Sequence, residues 1–351
     1  MLSGLRTVYR RPVVVRSGLL ILKATATTLT IPVEHSFGDK TIENNEQTES
    51  NRLSKTMTKF WEKVGVNHSK EKGHYEIQLD GKTLKTPMGH PLSVPSNQKQ
   101  LAYLLAHEWA NLPDLKVKTH QLPLTSLAAR TVDLKHSAAD AANGSEEAAA
   151  KIGTPDDIRY NLLRYLDTDT CLIMAANDEY SGKLRKKQDD LYLPLKKEFE
   201  DFFTEYAKSH SDELLVPEGG VTLEHLDCET DGLRGNQQSL ATQAIVLHWL
   251  KSLPLAHLVA LERAVLTSKS FLAGASLLRS SCCDPTLLKE LYQFNKNSPE
   301  DYFHRTVREI VEMANLETIF QTEEWGEVED THDVDAEDWL RNLTAATLIT
   351  K

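Results

Sequence analysis

The chain has 351 residues, 40 basic against 51 acidic, for a formal net charge of −11, with 40% apolar and 26% charged residues. That is the composition of a folded globular protein of about two domains, and it excludes disordered and fibrous classes. The acidic balance argues against broad binding to nucleic acid or anionic lipid, and no apolar run reaches the ~18 residues of a membrane helix.

Residues 1–33 stand apart. They carry Arg6, Arg10, Arg11, Arg16 and Lys23 and no acid before Glu34. A basic, acid-free and hydroxyl-rich leader is the composition of a mitochondrial transit peptide, drawn inward as a cation. A secretory signal fits less well, because Lys23 interrupts the short apolar stretch from Ser17 to Leu22. Without the five basic residues of that leader the chain is 35 basic against 51 acidic, or −16. Residues 34–56 are polar and read as a flexible leader, with too little apolar surface to offset ordering entropy.

An N-terminal α+β domain is expected over 57–145. Tyr75 to Leu79 alternates apolar and polar, the period of a half-buried strand. Asp80-Gly81 is a two-residue turn, and Lys82 to Thr86 returns as a second strand. Pro91 to Val94 is a further short strand, and Pro95-Ser96 opens a helix with Leu101, Leu104, Leu105, Trp109 and Leu112 on one face before Pro113 ends it. Composition shifts between 138 and 154, and Thr154-Pro155 caps the next helix. A helical domain over 146–322 follows from five apolar stripes: Ile158 to Leu166, Leu191 to Phe203, Leu240 to Leu250, Leu258 to Leu272 and Phe303 to Val311. Residues 323–351 form an acidic C-terminal segment. The fold class is α+β, an N-terminal β-containing domain followed by a mostly α-helical one.

Tests for chemistry mostly fail. Gly81-Lys82-Thr83 ends like a phosphate loop, but the required earlier glycine is Glu76, inside a strand. Gly232 to Gly235 is better read as a connection than as an anion seat. His107-Glu108 lacks the second histidine of a zinc-protease helix, where Asn111 stands. Asp167 and Asp169 suit turn capping better than metal, and 327–335 lacks the glycine of a calcium loop. Cys171, Cys228, Cys282 and Cys283 fit neither a disulfide scaffold nor a zinc site, and read as small buried thiols. No cofactor, metal or catalytic residue is assigned.

Four segments in order carry a resemblance. They are Lys59-Phe60-Trp61-Glu62-Lys63-Val64 with the 75–87 hairpin; Glu108-Trp109 with Leu122 to Leu127; Leu162 to Thr170, which reads Leu-Leu-Arg-Tyr-Leu-Asp-Thr-Asp-Thr; and Glu324-Trp325-Gly326 with Glu329 to Asp333. Together they resemble the mitochondrial assembly-factor family that chaperones the alpha subunit of the F-type ATP synthase catalytic head, over about residues 58–345. The resemblance implies a non-enzymatic protein of the mitochondrial matrix that binds free alpha subunit before beta arrives. It also implies a functional acid on a helix of the C-terminal domain, and the matching position is Glu262.

Glu262 lies at the edge of the stripe formed by Leu258, Leu261 and Val265, so its carboxylate is expected to emerge beside an apolar surface and meet a partner's Arg or Lys. The bland alternative is a helix-surface acid paired with Arg263 or His257. Glu262, Arg263 and Lys269 are the partner-binding candidates, whereas Trp61 and Trp109 read as core anchors. The expected protein is a monomeric chaperone that masks the beta-facing surface of alpha, with no nucleic acid and no membrane insertion. The alternatives are a matrix metal-dependent hydrolase using carboxylates near 167–169 and 329–335, and a general holdase.

Overall fold

A computed structural model describes residues 59–69, 73–112, 119–142, 147–232, 234–293, 304–328 and 331–351. The expected transit peptide and flexible leader lie outside the described residues, as do Pro113, Phe303, Glu329 and Asp330.

The alternation at Tyr75–Leu79 builds the central strand of a small sheet. Strands β1 (Val64–Ser69) and β2 (His74–Leu79) run antiparallel, from Val64 opposite Leu79 to Ser69 opposite His74. On the other edge of β2, β3 (Lys82–Thr83) pairs with Gln78 and Leu79, and β4 (Ser93–Pro95) pairs with His74 to Glu76. Asp80 and Gly81 both take positive φ, 48° and 77°, the backbone a two-residue hairpin needs to match strand twist. The Asp80 carboxylate also accepts the N–H groups of Glu62 (3.1 Å) and Lys63 (2.8 Å), anchoring the lead-in to β1. Strand β1 carries Val64, Val66, a glycine and polar residues, too weak a pattern to be read without its partner.

Helix α1 (Lys99–Ala110) begins later than Pro95-Ser96, because Pro95 closes β4 and Gln98 takes the cap position. Its buried face is Leu101, Ala102, Leu105 and Trp109. Trp61 and Trp109 sit in the core with ring centroids 5.1 Å apart. The Trp61 Nε1 donates to the Trp109 carbonyl at 3.3 Å, and Trp109 Nε1 donates to Thr125 Oγ1 at 3.0 Å. Helix α2 (Pro123–Ala142) is capped from outside: the Glu108 carboxylate accepts the N–H groups of Leu124 and Thr125, both at 2.8 Å. A carboxylate at that end satisfies unpaired donors and opposes the positive end of the helix dipole.

Most of the remaining described residues are helical: α3 (Glu147–Ile152), α4 (Pro155–Asp167), α5 (Lys183–Ser209), α6 (Leu240–Ser252), α7 (Leu255–Ser268), α8 (Phe271–Ser281), α9 (Val307–Ala314), α10 (Leu316–Trp325) and α11 (His332–Ile349). Thr154 caps α4 as the sequence predicts, and Asp157 completes a capping box with it. A minor parallel pair, β5 (Ile173–Met174) with β6 (Leu226–Asp227), interrupts the helices. The stripe from Leu258 to Leu272 is two helices rather than one. Lys269 adopts φ 56°, a left-handed cap, and the Ser270 side chain then accepts from Ala273 N–H to start α8. Within 323–351, α11 buries Leu343, Ala345, Ala346 and Ile349, so its second half is core-packing helix.

Helix α7 lies at the centre. It packs against α2, α4, α8 and α11, and the hydrophobic cluster runs unbroken from Trp61 to Ile349. Gly274 on α8 permits the closest approach, since a Cβ there would fall 2.8 Å from Val265 Cγ2. Among the described residues no helix is long and apolar enough to cross a membrane.

Candidate functional site

Helix α7 is apolar nearly all round: Leu258, Val259, Ala260, Leu261, Ala264 and Val265 are each fully buried. A polar residue placed in such a helix has no water-facing side to use, and Glu262 is fully buried as well. Its carboxylate does not emerge at a surface, because other elements pack around the centre of α7. Instead it meets Arg130 of α2 in a two-point pair. Arg130 Nε donates to Glu262 Oε2 at 2.6 Å and Nη2 donates to Oε1 at 2.7 Å, with the Arg130 side chain 3% exposed. Two parallel charge-assisted bonds fix both side chains in one geometry. Glu262 is therefore no helix-surface acid. His257 accepts or donates at 2.6 Å to the Tyr292 hydroxyl, and burial pulls it down to about 4.

Sequence reading missed Arg130. The signal was present: an arginine among Leu127, Ala128, Ala129 and Leu134 demands a buried acid, because an unpaired guanidinium in that setting is costly.

The next residue of α7, Arg263, is half-buried and donates to Ser126 Oγ at 3.3 Å. Lys269 is exposed, and its carbonyl accepts from the N–H of Thr170 at 3.4 Å. This carbonyl ties the α7–α8 junction to the turn that follows α4. The stronger tie is Asp169, fully buried, which accepts the N–H of Cys171 and of Leu272, both at 2.8 Å. Asp169 therefore caps its own turn and the start of α8 together, the Asx role expected of it. Asp167 likewise accepts from Gln238 N–H at 2.8 Å. Among the described residues no group of three or more His, Cys, Asp or Glu could hold a metal.

Burial raises the Asp169 carboxyl from 3.8 to about 6 against the lowering effect of its hydrogen bonds. The folded state thus holds its proton more tightly than the unfolded chain, so this group's contribution falls as pH rises from about 4 to 6. At about 1.4 kcal/mol per tenfold, the change is on the order of 3 kcal/mol. Asp169→Asn removes the titration. Its stability relative to the wild type is expected to rise across that window, measured by urea unfolding at several pH values; a difference independent of pH contradicts the assignment.

Lys269 opens onto a cleft of about 360 Å³, whose walls also include Glu179, Gln188, Tyr192, Glu317 and Trp339. The three candidates therefore occupy three environments on one stretch of chain: Glu262 inside, Arg263 half-buried, Lys269 at the cleft. All four cysteines are unbonded; Cys171 and Cys282 are buried as expected, while Cys228 is half-buried and Cys283 is exposed. Burial pushes the Cys282 thiol up to about 11, which leaves it unreactive.

Residues 58–200 match the family described as ATP12 chaperone protein. The chain is 44% identical to the mitochondrial protein ATP12 of Saccharomyces cerevisiae, over 88% of this chain and 89% of that one. It is 30% identical to the mitochondrial protein atp12 of Schizosaccharomyces pombe, over 84% and 83%. The crystal structure of Atp12 from Paracoccus denitrificans superposes with a TM-score of 0.54 at 19% identity, covering 84% of this chain and 99% of that one. A chain from Agrobacterium tumefaciens superposes with a TM-score of 0.56 at 20% identity, covering 83% and 84%; these two show the shared fold. With such identity over nearly the whole length of the yeast relatives, the chain belongs to the ATP12 chaperone family.

Proposed function

We propose that the protein is an assembly chaperone of the mitochondrial matrix that binds the free alpha subunit of the F-type ATP synthase catalytic head. It masks the surface that alpha will bury against beta, and it yields when beta binds. The observation that carries this reading is the 44% identity to a mitochondrial relative over 88% of this chain, joined to the ordered motifs that resemble alpha-subunit chaperones. The physical need is clear: a subunit destined for an obligate interface exposes apolar surface that aggregates while it waits.

Within this reading Glu262 acts from inside. Paired with Arg130, it fixes α2 against α7 and so sets the shape of the outer face, where Arg263 and Lys269 stand closer to solvent. Exchange of the pair tests that division. Glu262→Lys is expected to abolish capture of alpha, whereas Arg130→Glu with Glu262→Arg, which restores opposite charges, is expected to recover it. A folded exchange variant that still fails to capture alpha contradicts that division.

A further inference from the structure

The end of α10 and the start of α11 carry an unusual combination. Residues 316–340 contain ten Asp or Glu and no Lys or Arg. In the same stretch Trp325 is 73% exposed, Val328 58% and Val334 59%. Trp325 and Phe320 each lie 6.0 Å, centroid to centroid, from the ring of Tyr180, so three aromatics from two distant parts of the chain form one face. Glu323, Glu324 and Glu327, next to Trp325 in the chain, are exposed, as are Asp333 and Asp335 further on. The carboxylates of Glu317, Glu324 and Glu179 act on the Tyr180 hydroxyl, and Glu179 and Glu317 also line the neighbouring cleft. Aromatic face, acidic rim and cleft are therefore contiguous.

We propose that this face is a docking site for a polypeptide segment of the client protein in which Lys or Arg alternates with apolar residues. Charge complementarity selects the occupant. A tryptophan left in water gains from being covered, and its ring face attracts a guanidinium or ammonium. The acidic rim repels nucleic acid and anionic lipid. It also disfavours a second copy of this chain, which without its leader carries −16. A basic apolar segment satisfies both parts of the surface, with the cleft beside it able to take a side chain. The identification of the segment's owner as alpha rests on the function proposed above; the chemistry of the face does not.

Anisotropy of a short labelled peptide alternating Lys and Leu, titrated with the full chain, provides the test, with a Glu and Leu peptide as its counterpart. The Lys peptide is expected to bind, to weaken with added salt, and to lose at least about tenfold in affinity for Trp325→Ala, the range of an interface hot spot. Binding is expected to vanish for Glu323→Lys with Glu324→Lys and Glu327→Lys. These positions are exposed, and unchanged circular dichroism confirms that the variants are folded. Equal binding of the two peptides, or indifference to both variants, overturns the proposal. So does displacement of the Lys peptide by a synthetic peptide of residues 1–33 but not by alpha, which gives the face to the chain's own leader. Alpha capture separates the two claims. Capture by wild type and Trp325→Ala alike removes this face while sparing the proposed function, and no capture by wild type with the peptide results intact does the reverse.

Discussion

Arg130→Ala is expected to lower the stability of the fold by about 3–5 kcal/mol, because it leaves the Glu262 carboxylate buried and uncompensated. That is a large share of the roughly 5–15 kcal/mol available to a typical domain. Glu262→Ala is expected to cost a similar amount by stranding the guanidinium. The two losses are not additive. Arg130→Met combined with Glu262→Leu replaces the pair by apolar side chains of similar length between the apolar faces of α2 and α7, and is expected to recover most of the stability. Guanidinium unfolding of the wild type, Arg130→Met, Glu262→Leu and the double variant measures the cycle. If the double variant is as unstable as the sum of the singles, the pair is not the coupled unit that the 2.6 and 2.7 Å bonds describe. The result also separates folding from function. Two charges buried this deeply gain little net stability over an apolar pair, so an apolar variant that folds yet handles its client poorly points to a role in shape rather than in stability.

Trp249→Ala is expected to be comparably damaging, at about 3–5 kcal/mol. The side chain is 1% exposed and its ring meets Phe203, Phe202, Phe271 and Tyr292 at 5.8, 6.0, 6.1 and 6.2 Å. Those partners come from α5, α8 and the turn at 288–292, so one indole joins three parts of the helical region to α6. Its Nε1 also donates to the Leu291 carbonyl at 2.8 Å, and truncation leaves that acceptor unsatisfied. Trp249→Phe keeps most of the volume and loses chiefly the hydrogen bond, so about 1–2 kcal/mol is expected. Thermal unfolding with near-ultraviolet circular dichroism distinguishes the two. Equal effects of Ala and Phe would mean that the hydrogen bond rather than the packing dominates.

Much of the fold was legible where one physical pattern controls one element. The alternation at Tyr75–Leu79, the Asp80-Gly81 turn and the Thr154 cap each act locally, and each forms. Elements decided by distant partners were harder to read. Strand β1 has a weak pattern of its own and exists because β2 offers it an edge. The break at Lys269 looked like a continuous stripe because Leu261, Val265 and Leu272 are all buried on both sides of it; only the left-handed cap and the Asp169 bonds to the next helix divide them. Glu262 was legible as unusual but not as buried. A stripe marks which side of a helix is apolar, yet α7 is covered from several directions, and its burial depends on α2, α4, α8 and α11 together. The missing clue was Arg130, 132 residues away along the chain.

The acidic composition also has a clearer meaning once placed. Exposed Glu323, Glu324 and Glu327 flank the exposed Trp325 in the chain, so part of the negative charge is organised beside apolar surface. A chaperone that must release its client gains from such a surface, since rim charges speed encounter more than they deepen binding.

The most direct measurement mixes the purified full chain with free alpha subunit, with free beta subunit and with an unrelated unfolded protein, and resolves each mixture by size-exclusion chromatography. A discrete complex is expected with alpha and none with beta or the unrelated chain, and the alpha complex is expected to dissolve when beta is added. Failure to bind alpha, or binding all three alike as a general holdase would, contradicts the proposed function.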